Sequence, residues 1–159
     1  MKILSTLAGG VAGAVVLTLL HETTRRLVDD APRMDLLGME ALEKGLKKMD
    51  APVPDQQKLF NLTMAGDLLS NSLYYSMVGL TPAKYRLAAG GMLGLAAGLG
   101  AVCLPKHMGL NPEHSNRTQQ TKIMTTVLYL TGGLVAGAVG CMAGDEDEGI
   151  SNCEHGERV

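Results

Sequence analysis

LAAGGMLGLAAGLGAVCL, the stretch from Leu87 to Leu104, runs for 18 residues without a charge. At 1.5 Å of rise per residue an α-helix of that length is roughly 27 Å long, close to the thickness of the hydrocarbon layer of a bilayer. Within it Gly90, Gly94 and Gly98 recur at every fourth position. Such a row leaves a shallow furrow along one face of a helix. In lipid there is no hydrophobic gain in bringing two helices together, so association relies on close packing and hydrogen bonds, both of which small residues permit. The stretch therefore predicts a membrane-spanning helix that meets another helix closely.

Outward from it lie three further apolar segments, two of which follow the same pattern. Ile3 to Leu20 is uncharged and carries Gly9 and Gly13, with Gly10 and Ala14 in the adjacent row. Ile123 to Ala143 is uncharged and carries Gly133 and Gly137 beside a second row of Gly132, Ala136 and Gly140. Leu59 to Leu80 is long enough to span but contains Asp67, Asn61 and Asn71. Hydropathy alone would also allow three spans, with this segment at the interface. The expected fold is all-α: a polytopic membrane protein with a bundle of four transmembrane helices at 3–20, 59–80, 87–104 and 123–143. It forms one domain over 1–144, followed by an acidic mobile tail at 145–159. Val-Ala-Gly-Ala-Val occurs at both Val11–Val15 and Val135–Val139, a match that an alphabet this restricted also produces by chance.

The composition fits this reading. There are 20 Gly among 159 residues, one Phe and no Trp, too little aromatic bulk for an ordinary water-soluble core. The net charge of −2 and the lack of a basic patch with interleaved aromatics argue against nucleic acid as a partner. Cys103, Cys141 and Cys153 are too scattered for a disulfide framework or a paired-cysteine metal site, and Cys153 with Glu154 and His155 lacks a second ligand pair. No metal or cofactor is expected. The segment Met1 to Leu20 resembles a signal peptide but has no Ala-x-Ala site before His21, so it reads as a retained helix.

Lys and Arg fix the expected orientation. The loop from His21 to Lys58 and the one after the third span hold ten of the 14, leaving Lys2, Lys84, Arg86 and Arg158 for the other side. The positive-inside rule then places both loops in the cytoplasm and both termini outside, in a membrane expected to be the bacterial inner membrane. Within the first loop, Leu36, Met39, Leu42, Leu46 and Met49 fall on one face of a helix over 35–49. Asp35 is its expected N-cap, and Glu40 with Lys44 and Glu43 with Lys47 are i, i+4 pairs. This amphipathic interfacial helix would rest on the membrane surface or the bundle, or dock a partner.

The chemistry-bearing residues are few. Thr63, Asp67, Asn71 and Tyr74 form a stripe on the second span. A carboxylate at that depth costs several kcal/mol unless it is protonated, paired or hydrated, which makes Asp67 a functional-site candidate. Candidate neighbours at similar depth are Thr125, Thr126 and Tyr129, with His21 and Glu22 at the end of the first span. His21 and Glu22 open like a zinc-protease motif, but Arg25 stands where the second histidine is required. There is no phosphate-binding loop, dinucleotide fingerprint or nucleophile elbow. Two functions remain. One is a non-catalytic membrane subunit or scaffold, packing through Gly9, Gly13, Gly90, Gly94, Gly98, Gly133 and Gly137 with copies of itself or with a larger complex. The other is a small oligomeric transporter or proton or cation channel built on the Asp67 stripe.

Overall fold

The structure, a computed structural model, describes the backbone of residues 2–155 and the side chains of residues 6–143. Its regular elements are helical: α1 (Lys2–Leu27), α2 (Met34–Lys48), α3 (Gln56–Ser76), α4 (Arg86–His107), the single turn α5 (Glu113–Asn116) and α6 (Gln119–His155), with no strand among the described residues. Two short 3₁₀ turns, Met77–Leu80 and Ala83–Tyr85, connect α3 to α4. Three helices are long and apolar enough to cross a membrane: α1, α4 with the turn before it, and α6 up to Ala143. The side chains of the acidic tail and of the Cys153–Glu154–His155 trio lie outside the described residues, as does the chain after His155.

The helix ends differ from the hydrophobic boundaries for local reasons. Helix α1 continues through His21 to Leu27, ending with Arg25 and Arg26 in its last turn, where cations complement the helix dipole. Helix α4 carries Pro105 in its last turn and stops at Gly109, whose φ of +71° suits glycine. There the Leu110 N–H donates to the Pro105 carbonyl and the Gly109 N–H to Lys106, satisfying two terminal acceptors. Helix α6 starts in a reciprocal cap, the Thr121 N–H donating to Thr118 Oγ1 and the Thr118 N–H to Thr121 Oγ1. Asp55 caps α3 by accepting from the Lys58 N–H. Asp35, expected as the cap of α2, has no such role. Arg33 occupies the cap position without a side-chain bond, and Asp35 sits in the first turn facing Arg33 and Arg25.

Helix α6 lies between α1 and α4, and its two small-residue rows serve the two neighbours. Gly133 and Gly137 face α4, where a Cβ on Gly133 would meet the Gly90 carbonyl and one on Gly137 would lie 2.7 Å from the Arg86 carbonyl. Gly132 and Ala136 face α1. A Cβ on Gly13 would stand 2.6 Å from the Gly132 carbonyl, and one on Gly9 2.8 Å from that of Ala136. On α4, added carbons at Gly94 and Gly98 would lie 2.6 Å from the Tyr129 carbonyl and 2.7 Å from Thr126 Cα. Real Cβ atoms do not approach that closely, so these seams are backbone against backbone. Gly10 makes the corresponding approach to Ser72 and Ser76 of α3 on the other side of α1.

The fourth side of the bundle is different. Helix α3 packs on α1, but between α3 and α4 lies a groove of about 650 Å³, lined on α4 by Ala96, Ala97, Gly100 and Leu104. Tyr74 bridges it, its hydroxyl donating to the Leu93 carbonyl at 3.0 Å. Tyr75 is fully buried and donates to the Tyr129 carbonyl at 2.7 Å, fixing α3 to α6.

Candidate functional site

The polar interior gathers at the end of the bundle where α1 stops and α2 begins. On α1, Thr18, His21, Glu22 and Arg25 occupy i, i+3, i+4 and i+7 and so share one face. That face meets Thr63 and Asp67 of α3 and Met34 and Asp35 of α2 around a small, partly open cavity of about 20 Å³. The sequence-read stripe is therefore split. Thr63 and Asp67 line this cavity, and Asp67, Asn71 and Tyr74 line the groove between α3 and α4 together with Tyr129. Asp67 belongs to both walls. Thr125 and Thr126 are directed elsewhere. Thr125 Oγ1 lies 3.0 Å from the Ser115 carbonyl and 2.8 Å from that of Thr121, and Thr126 donates to Lys122.

His21 is buried, with its ring edge-on to that of Tyr129 at 5.5 Å between centroids. Neither of its ring nitrogens has a hydrogen-bond partner within the protein, and the same holds for Thr18 Oγ1, Thr63 Oγ1 and Arg25 Nε. All five atoms belong to residues that line the one small cavity. An unsatisfied buried polar group costs about 1–3 kcal/mol, so five of them at one place are a polar site rather than a packing accident.

An ion-pair network that shares Glu22, Arg25 and Asp35 with the cavity wall holds the end of the bundle together. Arg25 donates to Glu22 at 2.7 Å and to Asp35 at 3.0 Å, and Arg33 donates to both oxygens of Asp35 at 3.0 and 2.8 Å. Burial raises the Asp35 carboxyl, but the Arg33 hydrogen bonds and the charges of Arg33 and Arg25 outweigh it and hold it below the ordinary carboxylate range. A second group of contacts ties α2 to the loop before α6. Glu40 accepts from the Asn111 N–H at 2.9 Å and pairs with Lys44 at 2.7 Å, which lowers its carboxyl as well. Arg117 reaches Asp30 at 2.7 Å, and Thr121 donates to the Asp30 carbonyl at 2.8 Å.

Helix α2 is seated through a second side besides its half-buried apolar row. Leu37 is buried, and Met34, Leu37, Gly38 and Ala41 line the inner wall, with Gly38 against the Thr63 methyl. The row Leu36, Met39, Leu42, Leu46 and Met49 does not line that wall. Its first four members are half-buried and Met49 is 70% exposed.

Sequence reading alone did not single out Thr18, Arg25, Met34 and Asp35 as site residues. The i, i+3, i+4, i+7 row of Thr18, His21, Glu22 and Arg25 was the available signal, since a polar stripe at the end of an otherwise apolar helix must face protein. Compared with protein-family models, with curated proteins and with solved structures, the chain matches none of them.

Proposed function

We propose that the chain is a non-catalytic integral membrane protein of four transmembrane helices, α1, α3, α4 and α6, serving as a subunit or scaffold of a membrane complex. The fourth span rests on the way α3 is turned. Thr63 and Asn71 are buried, while Leu62, Leu69 and Leu73 are 53, 62 and 59% exposed. A helix at a water-facing surface turns the opposite way, with its leucines in and its polar residues out. An even number of crossings then leaves both termini on the side opposite α2, and the excess of Lys and Arg assigns the α2 side to the cytoplasm.

The observation that carries the subunit reading is the apolar row of α2, half-buried from Leu36 to Leu46 and exposed at Met49. The glycine rows are engaged between helices of the same chain, as the approaches at Gly9, Gly13, Gly90, Gly94, Gly98, Gly133 and Gly137 indicate. They leave no furrow for a second molecule at those positions. The surface proposed for a partner, another copy or a different membrane protein, is the partly exposed row Leu36 to Met49 on α2. Purification in mild detergent, comparing the natural chain with Leu42→Glu and Leu46→Glu, tests this. A partner or second copy retained by the natural chain and lost from both variants, with helix content unchanged, is the expected result. A natural chain that purifies alone as a monomer would contradict it.

The transporter or channel reading is favoured by one observation, the place of Asp67 on the walls of both the inner cavity and the groove. Against a path through a single chain stand the backbone contacts of Gly9, Gly10 and Gly13, which close the other half of the bundle. Asp67→Asn separates the two readings, since it would abolish flux in a channel and leave partner retention intact in a subunit.

A further inference from the structure

We infer that the small cavity between α1, α2 and α3 is a hydrated proton-binding site, in which one water molecule connects His21 to Asp67. Its volume of about 20 Å³ is enough for a single water. Its walls supply the partners such a water needs: the hydroxyls of Thr18 and Thr63, the Arg25 Nε–H and the ring of His21 all lack a hydrogen bond within the protein. A neutral imidazole has one donor and one acceptor nitrogen and takes a second proton on the acceptor. Both nitrogens of His21 are free to do so. Asp67 lines the same cavity from α3 and is the second group able to hold a proton there.

The surrounding charges point to a proton rather than a metal ion. From α1 come Glu22 and Arg25, from α2 and the loop before it Asp35 and Arg33, from α3 Asp67, and from α6 the uncharged ring of Tyr129. Glu22 and Asp35 are balanced by Arg25 and Arg33, while Arg26, 3.5 Å from Glu22, is 73% exposed and its charge is screened by water. The net charge therefore rests on His21 and Asp67: −1 with no proton on the pair beyond a neutral imidazole, and zero with one. A buried site favours the neutral state. No three metal-binding side chains converge here or elsewhere among the described residues. The proton moves from the Asp67 carboxyl to the water while the water passes one of its own to the acceptor nitrogen of His21, so no bond or charge is left unbalanced.

This inference does not depend on what binds α2. Nitrogen NMR of the full chain in lipid nanodiscs, with labelled histidine, tests it directly. The His21 ring resonances are expected to show a cross-peak to water and to shift in Asp67→Asn, while those of His107, His114 and His155 stay in place. Thr18→Val combined with Thr63→Val keeps the volume of both side chains and is expected to remove the water cross-peak. Asp67→Glu, which retains the carboxyl, is expected to keep it. Ring resonances indifferent to Asp67→Asn, or no contact with water in the natural chain, would overturn the inference.

Discussion

Helix α4 shows the two ways this molecule joins its helices. On one face Gly90, Gly94 and Gly98 bring its backbone onto that of α6, and on another Ala96, Ala97, Gly100 and Leu104 border an open groove. The first face has no room for a methyl group, whereas the second has room for a ligand-sized volume. Small residues therefore do not have one meaning along this helix. At four-residue spacing toward α6 they set how closely helices meet, and toward α3 they leave space beside Asp67, Asn71 and Tyr74.

Substitutions on the closed face should have the largest effect. Gly94→Leu would drive a side chain into the Tyr129 carbonyl and the Leu130 backbone, with approaches of 2.6 and 2.8 Å already at its Cβ. The expected cost reaches or exceeds the upper end of the about 1–3 kcal/mol typical of overpacking. Thermal unfolding in detergent would measure it. Unaltered stability would mean that the α4–α6 seam is wrongly drawn.

Next comes the ion-pair network at the end of the bundle. Asp35→Ala leaves Arg25 and Arg33 without a shared acceptor, and because Arg33 is half exposed the expected loss is about 2 kcal/mol rather than that of a fully buried pair. Local hydrogen exchange in α2 should rise while the α4–α6 seam stays protected. Acid should act at the same place. The folded-state pKa of Asp35 lies below its unfolded value, so the stabilisation is complete above the ordinary carboxylate range, about pH 4, and is lost as pH falls through the folded pKa. Hydrogen exchange across an acid series should therefore show α2 loosening only below about pH 4. Loosening between pH 5 and 7 would require a different titrating group.

The smallest effect is expected on the open face. A Cβ at Gly100 would meet only Leu104 Cδ1, at 3.5 Å, an ordinary contact. Gly100→Ala should be neutral or stabilising by up to about 1 kcal/mol, because alanine orders a helix at less entropic cost than glycine. A loss as large as that of Gly94→Leu in the same unfolding assay would erase the distinction between the two faces.

The glycine spacing made much of this fold legible. The two rows on the last helix correspond to its two neighbours, and the Gly90, Gly94 and Gly98 row locates the seam with α6. The site was harder to read. The chain turns polar after Leu20, which marks the end of a hydrophobic segment but not of the helix, so His21 reads as a boundary residue instead of a buried one. Asp35 has the position of a cap, and only the tertiary approach of Arg25 from α1 turns it into an ion-pair partner. For α2, apolar spacing gives a row from Leu36 to Met49, yet the approach to α3 also uses Gly38, whose smallness carries no hydrophobic signal.

The central claim is that α3 lies in the membrane with its polar stripe inward and its leucines toward lipid. A spin label at Leu69→Cys, with Cys103, Cys141 and Cys153 replaced by serine and the protein in lipid vesicles, tests it most directly. The label should be relaxed strongly by oxygen and weakly by a water-soluble nickel complex, as expected for a site facing acyl chains. Strong relaxation by the nickel complex and weak relaxation by oxygen would place α3 in water and contradict the four-span reading.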